Sequence, residues 1–272
     1  MAERVTGSRA TLLGVPWDAS SSFQRGAAEA PDAIRAALGS PSSNSWNERG
    51  DDLSQPGVLG DAGNLSLPAE PAAARREITG GVEALASTGH RPLILGGDHS
   101  ITYPILRAWE GQTSALTVLH FDAHGDLYDE FEGDRYSHAC PFARVMEEGL
   151  ASRLIQVGVR ALTAHLRAQA ERFGVEVYGP ASWHDAVGTV QSAAGPIYIS
   201  LDLDVLEPML APGVSHPEPG GLTVRDVLEV LAAVRSPVIG ADVVEYNPRN
   251  DVRDLTARVA AKFVKEIVGL MR

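Results

Sequence analysis

The chain has one cysteine, Cys140, among 272 residues. A lone thiol excludes an intrachain disulfide and excludes zinc sites built from several thiolates. It fits a reducing compartment, so the expected location is cytoplasmic. Long apolar runs are also missing, and none approaches the ~18 residues a membrane span requires. The first residues, Met1 to Thr6, lack the apolar core of a secretory signal. Positive charge is scarce: 23 Lys and Arg stand against 35 Asp and Glu, a net charge of −12. Such a surface repels nucleic acid and anionic membranes, which bind proteins through phosphate neutralisation. It favours a small cationic partner through long-range steering.

Apolar residues make up 44% of the chain, enough for a sizeable core. Compact apolar runs at 11–15, 92–95, 116–121, 154–159, 175–178, 197–201 and 238–244 read as strands. Residues 31–38, 71–87, 164–172, 223–234 and 255–270 read as helices. Apolar strands alternating with helices predict an α/β fold around a mostly parallel sheet buried on both faces. No repeat or linker divides the chain, so residues 1–272 read as a single domain. Residues 40–57 are polar and aperiodic and read as a surface loop, with a lid over a site as the alternative.

Three of the strand-like runs end in the same kind of chemistry. They are Gly96-Gly97-Asp98-His99-Ser100, Phe121-Asp122-Ala123-His124-Gly125-Asp126 and Ser200-Leu201-Asp202-Leu203-Asp204. Glu245 follows a fourth run. Open parallel sheets bind ligands outside the carboxyl ends of their strands. In extended chain, residues two apart share a face, which suits Asp122, His124 and Asp126, and also Asp202 and Asp204. Any one of these motifs is as often structural as functional. Buried together, their carboxylates repel one another unless protonated or bound to metal. Asp122, Asp126, Asp202 and Asp204 carry four negative charges, which two divalent ions balance. Carboxylate and imidazole ligands without thiolate suit manganese, with zinc, cobalt and iron as alternatives. A pair of ions roughly 3.5–4 Å apart turns bound water into hydroxide at neutral pH.

The three motifs, in this order, resemble those of the ureohydrolases, the family of arginase, agmatinase and relatives. The segments at 21–38, 211–223 and 241–248 extend the likeness over nearly the whole chain. The resemblance implies a three-layer α/β/α sandwich, two Mn(2+) per subunit and assembly into homotrimers or homohexamers. It implies that His99 and Asp126 bind one ion, that His124 and Asp204 bind the other, and that Asp122 and Asp202 bridge them. Glu245 would then pair with the substrate guanidinium. Asp126 and His138 would deliver a proton to the departing amine. The products would be urea and a primary amine.

Substrate choice rests on the loops. The segment at 128–149 looks most like agmatinases and plant-type arginases. The Asn-rich loop and Asp-Val-Asp segment with which animal-type arginases grip arginine are absent. No acid follows Arg160, where Ala161, Leu162 and Thr163 stand. Agmatine, giving putrescine, is therefore the expected substrate, ahead of arginine, guanidinobutyrate and formiminoglutamate. His216 departs from the usual agmatinase loop and reads either as a contact to the substrate tail or as an exposed loop residue. His120 reads as a support for Asp122 or as a core histidine, and Asp98 as a helix cap or a support for the site. His90, His165 and His184 read as surface residues. Two other classes are weighed. One is a cysteine hydrolase using Cys140 beside His138. The other is a non-catalytic binding protein on the same fold.

Overall fold

The computed structural model describes residues 10–112 and 115–271, so the expectation for Met1 to Thr6 lies outside the described residues. Eight strands form one sheet: β1 Ala10–Gly14, β2 Leu59–Asn64, β3 Arg91–Leu95, β4 Thr117–Phe121, β5 Arg153–Val157, β6 Glu176–Tyr178, β7 Ile197–Asp202 and β8 Val238–Val244. Their order is β2-β1-β3-β8-β7-β4-β5-β6. Every neighbouring pair is parallel.

The helices are α1 Ala30–Leu38, α2 Pro71–Ser87, α3 Thr102–Arg107, α4 Pro141–Glu147, α5 Ala164–Phe173, α6 Trp183–Gln191, α7 Val224–Ala233 and α8 Leu255–Leu270. Side-chain alternation along the strands divides the core in two. Leu93, Phe121 and Leu201 pack with Ile34, Trp183, Val227 and Phe263 of α1, α6, α7 and α8. Ile94, Val118 and Tyr198 pack with Ile78, Ile105, Phe142 and Leu166 of α2 to α5. The result is a three-layer α/β/α sandwich.

Helix ends follow local chemistry. Thr223 and Asp226 form a capping box at the start of α7. Thr163 caps α5, and Gly174 ends it in the left-handed conformation. The sequence reading misses β2, α3, α4 and α6. β2 reads Leu-Gly-Asp-Ala-Gly-Asn, is mostly exposed and pairs only with β1 at the sheet edge. It therefore carries no apolar run. α3 and α4 have six and seven residues, fewer than two turns, too short for a periodic signal. The 40–57 segment is a surface loop pinned to the helical layer. The Glu48 N–H donates to Glu266 at 3.0 Å, and Arg225 donates to the Glu48 carboxylate at 2.7 and 2.9 Å. It does not line the cavity described below.

Candidate metal centre

The four central strands, β3, β8, β7 and β4, are neighbours in the sheet, and their carboxyl ends carry the motif residues. Tight backbone packing shapes the turn after β3. A Cβ on Gly97 would stand 1.6 Å from the Trp17 carbonyl oxygen, so glycine is required there. The turn delivers His99, whose Nδ1 lies 3.1, 3.1 and 3.2 Å from carboxylate oxygens of Asp122, Asp126 and Asp202. On the other side, His124 Nδ1 lies 3.3 Å from Asp122 and 3.0 Å from Asp204. Two imidazoles and four carboxylates thus meet in one cluster, with Asp122 touching both imidazoles.

The orientation of His99 follows from its partners. Ser200 Oγ donates to Asp242 Oδ1 at 2.7 Å, so it is an acceptor toward His99 Nε2, 2.9 Å away. Asp242 is fully buried and also accepts from Tyr198 and Thr102. The proton therefore sits on Nε2, and the lone pair of Nδ1 is aimed at three carboxylates. Nδ1 is buried and hydrogen-bonded to none of them. A nitrogen lone pair buried among anionic oxygens calls for a cation, and divalent metal fits that need. No ion is part of the structure, and the donor set fits two.

Without metal, protons take its place. Burial disfavours imidazolium at both His99 and His124, yet the surrounding carboxylates outweigh it and raise both. Burial, then the charges of Asp204 and Asp122, raises Asp202 well above the carboxylate range. Asp204 is pushed up to about 6, first by burial and then by Asp122. Asp122 is held low despite its burial, because His120, His124 and His99 all contact it. His120 is the support the sequence offered as one reading. Gln156 Nε2 donates to its Nδ1 at 3.1 Å, and its Nε2 meets Asp122 at 2.9 Å. Asp98 caps the turn through the Ser100 N–H, which is the helix-cap reading.

A cavity of about 290 Å³ opens over the cluster. His138, Glu245 and His216 all line it, with Ser22, Tyr128 and Thr163. Glu245 is buried, and its Oε1 accepts from the His99 N–H at 2.8 Å and lies 3.2 Å from His138 Nδ1. Glu245 and Asp126 hold left-handed backbone, with φ of 61° and 47°. Such non-glycine strain costs on the order of 1–3 kcal/mol and collects at functional positions. His138 is raised to about 9: burial opposes its charge, and contact with Glu245 more than compensates. His216 is half-buried and faces the cavity, its ring centroid 4.8 Å from that of His138, which excludes the exposed-loop reading. His165 and His184 are exposed as expected. His90 is half-buried and lies 2.9 Å from the Thr11 hydroxyl.

The sequence reading missed Ser22, Gln156, Ser200 and Asp242. Ser200 precedes the two aspartates of its motif, and its hydrogen-bond partners are distant from it in sequence. Asp242 shares strand parity with Ser200 across the β7–β8 register, which was the available signal. Cys140 is buried, and burial pushes its thiol up to about 12. His138 faces Glu245 and Ser22. A thiolate nucleophile has no support here.

A parallel sheet with imidazoles and carboxylates gathered at the carboxyl ends of its central strands defines a metal-dependent α/β hydrolase. The chain belongs to the arginase family, whose model matches residues 8–269. It is accordingly a metal-dependent ureohydrolase. It is 43% identical to a mitochondrial arginase of Medicago truncatula, covering 96% of this chain and 81% of that protein. It is also 43% identical to arginase 2, chloroplastic/mitochondrial, of Arabidopsis thaliana, over 98% and 82% of the two chains. The solved arginase structure from Medicago truncatula superposes with a TM-score of 0.93 at 42% identity, covering 97% of this chain and 88% of that one.

Two expectations are corrected. The names of these relatives place them in mitochondria or chloroplasts, so the cytoplasmic expectation does not stand. A lone cysteine and a missing apolar span do not separate those compartments. The preference for agmatine over arginine is likewise reversed, because these relatives are arginases. The missing acid after Arg160 bears more heavily on agmatine, whose terminal ammonium has no neighbouring carboxylate, than on arginine, whose own α-carboxylate balances its α-ammonium.

Proposed function

We propose that the chain hydrolyses L-arginine to ornithine and urea, acting as one unit over residues 1–272. The likeness to arginases supports this, and one feature of the cavity carries it. The carboxylates in the lining are Asp126, Asp202, Asp204 and Glu245, all belonging to the cluster or its guanidinium partner. None remains for the terminal ammonium of agmatine. Arginine ends in a zwitterion of no net charge, which the hydroxyls of Ser22, Tyr128 and Thr163 suit.

In this reading His99, Asp122, His124, Asp126, Asp202 and Asp204 hold two manganese ions. Bound there, the metals supply a hydroxide at neutral pH and polarise the substrate. Glu245 holds the guanidinium through charge-assisted hydrogen bonds. His138 carries a proton, and with Asp126 hands it to the departing amine nitrogen. Asp242 and Ser200 keep His99 in the tautomer that faces the cluster. The subunits assemble as homotrimers or homohexamers, which light scattering on the purified protein tests. The substrate test is urea release by manganese-loaded protein. The expected kcat/KM for arginine is at least tenfold above that for agmatine, and a ratio in the opposite direction overturns the assignment.

A further inference from the structure

Beyond the six inner ligands, the cavity holds a second group of metal-binding side chains. One nitrogen each of His138 and His216 and one oxygen of Glu245 lie within 4.8 Å of one another. Glu245 Oε1 is occupied by the His99 N–H and by His138, whereas its Oε2 is buried and accepts no hydrogen bond. The two imidazoles already converge on a single oxygen. Ser22 Oγ lies 2.9 Å from His138 Nε2 and 3.4 Å from His216 Nε2.

We propose that His138, His216 and Glu245 bind a third divalent cation of the zinc class, and that this ion shuts the substrate cavity. Two imidazoles and one carboxylate with an open position form a donor set that zinc accepts readily. The inner cluster is richer in carboxylate and suits manganese better. Zinc bonds of about 2.0–2.1 Å place tetrahedral donors roughly 3.3 Å apart. The trio must therefore close by up to about 1.5 Å, and the half-buried His216 lies on the loop between β7 and α7, outside the strands and helices. The inhibitory consequence rests on the reading of Glu245 as the guanidinium partner, because ion and substrate then compete for one carboxylate. Binding of the ion does not rest on that reading.

The test uses manganese-saturated protein dialysed against increasing zinc, with both metals counted by mass spectrometry. A third metal equivalent is expected while two manganese ions stay in place. Urea release from arginine is expected to show inhibition by zinc that excess substrate relieves. His216→Ala is expected to lose the third equivalent, keep two manganese ions and raise the inhibition constant at least tenfold. Zinc that only displaces manganese, leaving two metals in all, overturns the proposal. So does a third equivalent that survives in His216→Ala. A third equivalent in protein that hydrolyses no guanidine upholds the site and removes the function proposed above.

Discussion

Glu245 combines three features that seldom coincide: burial, left-handed backbone and a carboxylate oxygen without a hydrogen-bond partner. Its Oε1 is held by the His99 N–H and His138, but leaving the buried Oε2 without a partner is costly, which suits a cationic visitor. Glu245→Gln keeps the shape and removes the charge. Truncating one side of a buried charge pair costs about 2–5 kcal/mol. The expected outcome is a fall in kcat/KM for arginine of roughly 30- to 4,000-fold, with two metals retained. His138 makes a different prediction. A group that hands over a proton acts on the chemical step, so His138→Asn lowers kcat by about 10²–10⁴-fold and leaves KM nearly unchanged. A rise in KM at constant kcat would reduce His138 to a binding residue. Cys140→Ala tests the thiol rival. With the sulfur buried and its proton tightly held, that variant keeps its metals and most of its activity, and the native thiol reacts slowly with alkylating reagents at pH 8.

Elements explain why these side chains were partly readable in advance. β3, β4, β7 and β8 are buried, so each appears in the sequence as an apolar run ending abruptly in a polar residue. The helices α2 and α8 run as the sequence periodicity sets them, from Pro71 to Ser87 and from Leu255 to Leu270. The strand order was not readable, because β8 inserts between β3 and β7 through contacts distant in sequence. The substrate wall was not readable either. Ser22 and His216 are 194 positions apart and meet only because the fold brings their loops together. Ser200 and Asp242 belong to neighbouring strands, and their pairing sets the His99 tautomer. Ser200→Ala removes the acceptor for His99 Nε2. Loss of such an orienting partner weakens metal binding about 10- to 100-fold. Competition with a chelator at fixed free manganese measures the change. Unaltered affinity would mean that packing alone orients the ring.

At the scale of the whole molecule, the buried cluster couples folding to both metal and pH. In the metal-free fold His99, His124 and Asp202 are shifted toward their protonated forms, and Asp204 is pushed up to about 6. Metal requires deprotonated ligands, so loading expels those protons. Manganese binding at pH 6 is expected to release protons from these ligands. Fewer are expected at pH 8, where Asp204 has already lost its own. Calorimetry in buffers of different ionisation heat reads this number, and no net release would refute the ligand set. The same shifts govern stability. A folded pKa raised above its unfolded value contributes stability that is complete below the unfolded value and is lost as pH rises through the folded one. For Asp204 that loss runs from about 3.8 to about 6. For His99 and His124 it begins near the unfolded value of 6.5. Metal-free protein therefore weakens from about pH 4 to about pH 6 through Asp204 and again above pH 6.5 through the two histidines, while loaded protein, whose ligands carry metal instead of protons, does not share that loss. The difference in melting temperature between the two forms widens over these ranges, and a difference independent of pH would place the bound metal elsewhere than in this cluster.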